Sequence, residues 1–181
     1  MPSCMTEDVS FDKMKGSLGS LLLLWSEIEQ STRKELAQIT DSPPPSPSHG
    51  MAAVLRDWET ATTARHQTNP FAIVIIKAVV AQLRAGLKIR NALCHGLTGI
   101  SAARNQTPAA LKWQINGEEG RITWLEMETW FSQLSRLSRA IWYLSQSTAT
   151  NQTRLKNTPE NRDWWSTEHG VDLSNPIPPH K

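Results

Sequence analysis

Leu18, Leu21, Leu22, Trp25, Ile28, Leu36 and Ile39 recur at three- and four-residue steps, the spacing that lines side chains along one face of a helix. The face stops at the stretch 41–50, which holds five of the chain's prolines and glycines. Proline removes backbone donors and disfavours helical geometry, so an extended loop over 40–50 is predicted. Met51, Val54, Leu55, Trp58 and Ala61 resume the helical spacing, with Ser48 placed to cap the second helix. Asn69-Pro70 opens a third: asparagine accepts from the first unpaired amides, and proline at the first helical position forfeits no useful donor. From Phe71 to about His95 the chain is apolar around most of its circumference, as a helix packed on several sides requires. Gly96 and Gly99 are read as its terminator and a following loop, through the left-handed geometry glycine adopts.

Between 109 and 124 the pattern changes period. Trp113 and Ile115 alternate with Lys112 and Gln114, and Asn116-Gly117 offers turn chemistry before Arg121–Trp124, so a small β-hairpin is predicted. Thr123-Trp124-Leu125-Glu126 is a capping-box pattern, in which each end side chain satisfies a backbone amide at the other. A fourth helix follows, with Met127, Trp130, Phe131, Leu134, Leu137, Ile141 and Leu144 on one stripe and Ser132, Ser135, Arg136 and Arg139 opposite. After Ser145 the chain is rich in Ser, Thr and Asn and then in Pro, which reads as an irregular tail. Trp164, Trp165, Val171 and Leu173 interrupt it, and packing of the two indoles onto the helical part is expected, with base stacking or partner anchoring as the alternatives. The organisation predicted is therefore mainly α: a four-helix-bundle-like domain over 1–147 and a docked tail over 148–181.

A formal net charge of +2 over 181 residues is too small for bulk attraction to nucleic acid or membrane, so an RNA site has to be a local patch. Two cysteines, Cys4 and Cys94, supply neither a disulfide framework nor a thiolate cage, which fits a reducing compartment. The run Leu21–Leu24 lies among acidic residues and lacks a signal peptide's basic start. Phe71–Val80 is interrupted by Lys77 and is shorter than the roughly 20 residues of a membrane span. A cytoplasmic protein without a membrane partner is expected.

The third helix carries the candidate chemistry. Lys77, Arg84, Lys88, Asn91 and His95 are separated by seven, four, three and four residues, which aligns them on one polar, basic stripe. A solvated edge of a core helix would look the same. Arg90 lies off that stripe, although a long guanidinium can curl toward it. An always-charged group on a less polar side needs a carboxylate, a partner chain or a phosphate. A structural ion pair, for example with Glu27 or Glu29, is the alternative to a phosphate role. Cys94, adjacent to His95, is expected in the core. His49, His66, His169 and His180 show no ligand spacing, so no metal site and no cofactor is predicted. No Gly-rich phosphate loop follows a strand.

Arg90-Asn91-Ala92-Leu93-Cys94-His95-Gly96, at the end of an apolar helix, resembles the signature of HEPN domains, an arginine and a histidine separated by four to six residues with a polar residue after the arginine. The direct match covers Ile89–Gly99, and the helical order extends a weaker likeness from about Val9 to Ser145. The resemblance implies a metal-independent RNA endonuclease with Arg90, Asn91 and His95 in the catalytic site. It also implies pairing of two motifs in a homodimer and, for toxin-type members, an antitoxin or nucleotidyltransferase partner. Lys77, Arg84 and Lys88 become the expected RNA-binding residues. Some members of the superfamily are inert, and a catalytically inactive helical binding or dimerisation module is the competing expectation. Members modified by a nucleotidyltransferase carry a tyrosine two residues before the histidine. Leu93 stands there, and the chain's one tyrosine is Tyr143, so that mode of inhibition has no support.

The chemistry suits those residue types. Cleavage by the ribose 2′-hydroxyl needs a proton acceptor at that oxygen, a donor to the leaving oxygen and compensation of phosphate charge. Histidine titrates near neutral pH, and arginine stays charged and grips phosphate oxygens with a planar fork.

Overall fold

The computed structural model describes residues 9–103, 107–147 and 153–173; Cys4 and His180 lie outside them. The protein is mainly α-helical, with five helices and a three-stranded antiparallel sheet among the described residues. Helix α1 spans Phe11–Thr40, starting on the Ser10 hydroxyl, which accepts from the Lys13 amide, and ending with Asp41 in left-handed geometry. The loop after it is held by Arg33, which donates to the carbonyls of Pro45, Ser46 and His49 and pairs with Glu29 at 2.6 Å. An arginine buried on α1 thus satisfies carbonyls that the proline-rich loop cannot pair within itself.

Helix α2 is Met51–Arg65. Its cap is Gly50 rather than Ser48, whose hydroxyl is 2.6 Å from that of Ser46 instead. Helix α3, Pro70–Gly96, begins as the sequence indicates: Asn69 accepts from the Ala72 amide and Pro70 takes the first turn. By length and composition α3 alone among the described helices could cross a membrane. Ile75, Ile76, Val79 and Leu83 on it are wholly buried in the core, and 44% of its apolar window is buried.

No loop separates α3 from the sheet. Strand β1, Leu97–Ser101, follows the helix at once and pairs with β2, Ala110–Ile115, which pairs with β3, Glu118–Thr123. Gly99 is therefore a strand residue, opposite Lys112. Gly96 is not left-handed either. A side chain there would place its Cβ 2.5 Å from Ile115 Cγ1 and 2.7 Å from the Gln114 carbonyl oxygen. Glycine is required because β2 crosses the helix end in van der Waals contact, a reason invisible in local sequence. The β2–β3 turn is Asn116-Gly117, both at positive φ, 53° and 83°, which is the two-residue geometry that matches strand twist.

Helix α4, Trp124–Gln146, starts with the complete Thr123–Glu126 capping box. It runs alongside α1 in the same direction: Lys13 lies over the Trp124 ring at one end, and Gln146 donates to Glu35 at the other. Trp58 Nε1 donates to Ser145 Oγ at 3.0 Å, and His66 Nε2 lies 2.9 Å from the Leu144 carbonyl oxygen, tying α2 to the end of α4.

The segment expected to be irregular contains a 3-10 turn at Thr153–Leu155 and a helix, α5, Pro159–His169. Thr158 caps α5 and Pro159 occupies its first turn, the same device that starts α3. Trp165 and Val171 are completely buried, and Trp165 meets Tyr143 of α4 edge-on at 5.3 Å. Gln82 of α3 grips the chain beyond α5 twice, donating to the Gly170 carbonyl and accepting from the Asp172 amide.

Candidate functional site

The last two turns of α3 divide cleanly. Ala92, Leu93 and Gly96 are buried, Arg90 and Asn91 are half-buried, and Cys94 and His95 are exposed. At about 100° per residue, Asn91 lies one turn before His95 and Arg90 one turn before Cys94. The exposed Cys94 corrects the expectation of a core thiol: Ala92 and Leu93 take the inward positions at this level of the helix.

The Arg90 guanidinium does curl toward the stripe. Nη1 donates to Asn91 Oδ1 at 2.9 Å, which brings the charge beside a residue one turn from His95. Arg90 forms no ion pair among the described residues, and its Nε is buried without a hydrogen-bond partner. Of the two carboxylates offered as structural alternatives, Glu29 pairs with Arg33 and Glu27 is exposed without an ion pair to Arg90. A permanently charged group with an unsatisfied buried donor is costly unless an anion meets it.

The remaining stripe residues have different surroundings. Arg84 pairs with Glu59 of α2 at 2.8 Å, while Lys88 is exposed and Lys77 is half-buried nearer the start of the helix. Arg84, Lys88 and Asn91 line one wall of a groove of about 740 Å³ that β2 and β3 close with Trp113, Glu118 and Glu119. Arg90 and His95 are not part of that wall. Asn91 is the residue common to the groove and to the guanidinium.

Sequence reasoning missed the contribution of the hairpin. Trp113, half-buried on the α3 side, lies over Gly120, where an added Cβ would come 2.3 Å from its Nε1. The signal was present in the turn: a two-residue Asn116-Gly117 loop fixes the register as Ile115 opposite Glu118 and Trp113 opposite Gly120.

Chemically, the α3 end offers a fixed cation, an amide that orients it and an exposed imidazole. Among the described residues no group of three His, Cys, Asp or Glu side chains could hold a metal ion. No family model, curated protein or solved structure matches the chain.

Proposed function

We propose that this chain is a HEPN-like four-helix domain that cleaves RNA without a metal ion, through Arg90, Asn91 and His95. The observation that carries the reading is the half-buried Arg90 guanidinium, held by Asn91 and without a carboxylate partner among the described residues. A phosphodiester supplies what that group lacks. Two non-bridging oxygens accept from the guanidinium fork, and the gathered charge opposes the negative charge that grows on phosphorus-bound oxygens.

His95 is exposed and free to approach the same phosphate. The ribose 2′-oxygen attacks phosphorus as its proton passes to a base, and the bond to the 5′-oxygen breaks as that oxygen takes a proton. The products are a 2′,3′-cyclic phosphate and a 5′-hydroxyl. One imidazole performs one of these transfers at a time, so a homodimer presenting two α3 ends supplies both. Lys77, Arg84 and Lys88 extend the RNA contact along α3.

The test is cleavage of a single-stranded RNA pool in the presence of a chelator. Wild type leaves 2′,3′-cyclic ends, while His95→Ala and Arg90→Ala abolish cutting with melting temperature and helical circular dichroism retained. Intact RNA after incubation with folded wild type overturns the reading.

A non-catalytic helical binding or dimerisation module is favoured by a separate observation: Arg84 of the basic stripe is closed in an ion pair with Glu59 at 2.8 Å, as on an ordinary solvated helix edge. In that reading Arg90 and Asn91 serve the helix end, and RNA stays uncut.

A further inference from the structure

The side of the sheet turned away from α3 carries an arrangement that the fold alone does not explain. Leu111 and Ile122 are buried, so the alternation of β2 and β3 sends Lys112 and Arg121 outward. The register places these two exposed cations directly opposite each other. Neither has an ion pair or a side-chain hydrogen bond among the described residues. Like charges facing across a ladder destabilise it.

The nearby acids leave the pair uncompensated. Glu119, on the same strand as Arg121, borders the same hollow without reaching ion-pair distance. Glu126 feels the charge of Arg121, but its Oε2 accepts from both the amide and the hydroxyl of Thr123 at 2.7 Å. Its carboxylate is committed to starting α4.

Concavities flank the pair on two sides. One of about 660 Å³ is bordered by Thr98, Gln114 and Trp113 together with Lys112 and Arg121. A second, of about 620 Å³, is bordered by the same two cations and Ser101. Thr98, on the border of the first hollow, stands three residues after His95 and donates its hydroxyl to the Lys112 carbonyl at 3.3 Å.

We propose that Lys112 and Arg121 form a phosphate-binding pair for the backbone of single-stranded RNA, placing the strand so that it runs over the sheet toward His95. This rests on the RNA-cleaving reading above and names the surface by which that site takes its substrate. Two adjacent cations without protein partners match successive phosphates, and the hydroxyl and amide groups of Thr98 and Gln114 suit ribose and phosphate oxygens. The repulsion between the two side chains is relieved when RNA is bound and persists when it is not.

The experiment uses the full chain carrying His95→Ala, so that RNA survives the measurement. Fluorescence anisotropy of a labelled oligoribonucleotide is followed over a salt series for this parent and for added Lys112→Gln, Arg121→Gln and the double substitution. Each single change is expected to weaken binding several-fold. The double change lowers the slope of log K against log salt by about 1.4, at about 0.7 for each single-strand phosphate that is no longer neutralised. Melting temperatures of the glutamine variants stay equal or rise, since the repulsion is gone, whereas a merely structural pair would lower them. Unchanged affinity and slope overturn the proposal, as does a lowered melting temperature with unchanged binding. Parent protein that binds anionic phospholipid vesicles and ignores RNA overturns it too. Cleavage by otherwise wild-type protein is scored apart. A chain that binds through the pair but never cuts removes the nuclease reading and leaves the phosphate site, and a glutamine double variant with His95 intact that binds and cuts as wild type does the reverse.

Discussion

Arg90 Nη1 donates to Asn91 Oδ1 at 2.9 Å, although adjacent helical residues leave the axis about 100° apart. The long side chain bends back around the helix, and the short amide stops it on the side where His95 emerges one turn later. Asn91→Ala should release the guanidinium with little effect on melting, because both residues are only half-buried. Misplacing a charge-stabilising group by about 1 Å costs on the order of 100-fold in rate. Single-turnover cleavage assays are expected to show a loss of that size. Asn91→Asp should pin Arg90 in an ion pair, hold or raise the melting temperature and weaken RNA binding. Full activity in both variants would remove Asn91 from the site.

Gly96 and Ile115 provide a second handle. A methyl group at residue 96 meets Ile115 and, at 2.7 Å, the Gln114 carbonyl oxygen, and a backbone atom cannot swing aside as a flexible side-chain end can. Gly96→Ala should push β2 off the end of α3 at a cost of about 1–3 kcal/mol, the usual range for overpacking. Urea unfolding measures this, and the proposed cleavage should fall with it because His95 precedes the displaced residue. A variant as stable as wild type would mean that the helix end and the sheet adjust independently.

Trp165 tests whether the C-terminal helix belongs to the same cooperative unit. It is completely buried and donates to the Arg154 carbonyl at 2.8 Å. Trp165→Ala is expected to destabilise by about 3–5 kcal/mol, as large-to-small aromatic changes in a core do. Deleting 157–181 should lower the melting temperature as well. An unchanged transition would show that α5 unfolds separately.

His169 gives the fold a pH dependence. Its ring lies among Tyr143, Trp164 and Trp165, with centroids 6.2, 4.6 and 4.9 Å away, and both its nitrogens are buried. Burial pushes its pKa below the ordinary 6.5, assisted by Arg139 and opposed by the Arg136 backbone and by Glu168. The folded state therefore favours the neutral ring. Stability from this group is complete above about pH 6.5 and declines as pH falls from there toward the lowered folded value. Melting temperature should drop between pH 7.5 and 5 by more in wild type than in His169→Phe. Parallel curves for the two proteins would assign the acid sensitivity elsewhere.

Much of the architecture is written locally. The spacing of Leu21, Trp25 and Ile28, the Asn69-Pro70 start, the Thr123–Glu126 box and the Asn116-Gly117 turn each act within a few residues, through side-chain periodicity or a cap. Such terms fix helix and hairpin positions whatever they pack against. The alignment of Asn91 with His95 one turn later was likewise visible as spacing on one helix, whereas the bend of Arg90 onto Asn91 was not. Tertiary structure decided what lies beyond that range. The sequence made α5 look irregular because its two tryptophans and few other apolar residues form no stripe, and it is held by Tyr143 and Gln82, which are distant in the chain. Cys94 is exposed because Ala92 and Leu93 took the inward positions once the sheet covered that side. Gly96 is needed for the passage of β2 rather than for a helix cap. That Arg90 forms no ion pair among the described residues, while Glu29 pairs with Arg33 one helical turn away, is likewise an outcome of the packed arrangement and not of local sequence.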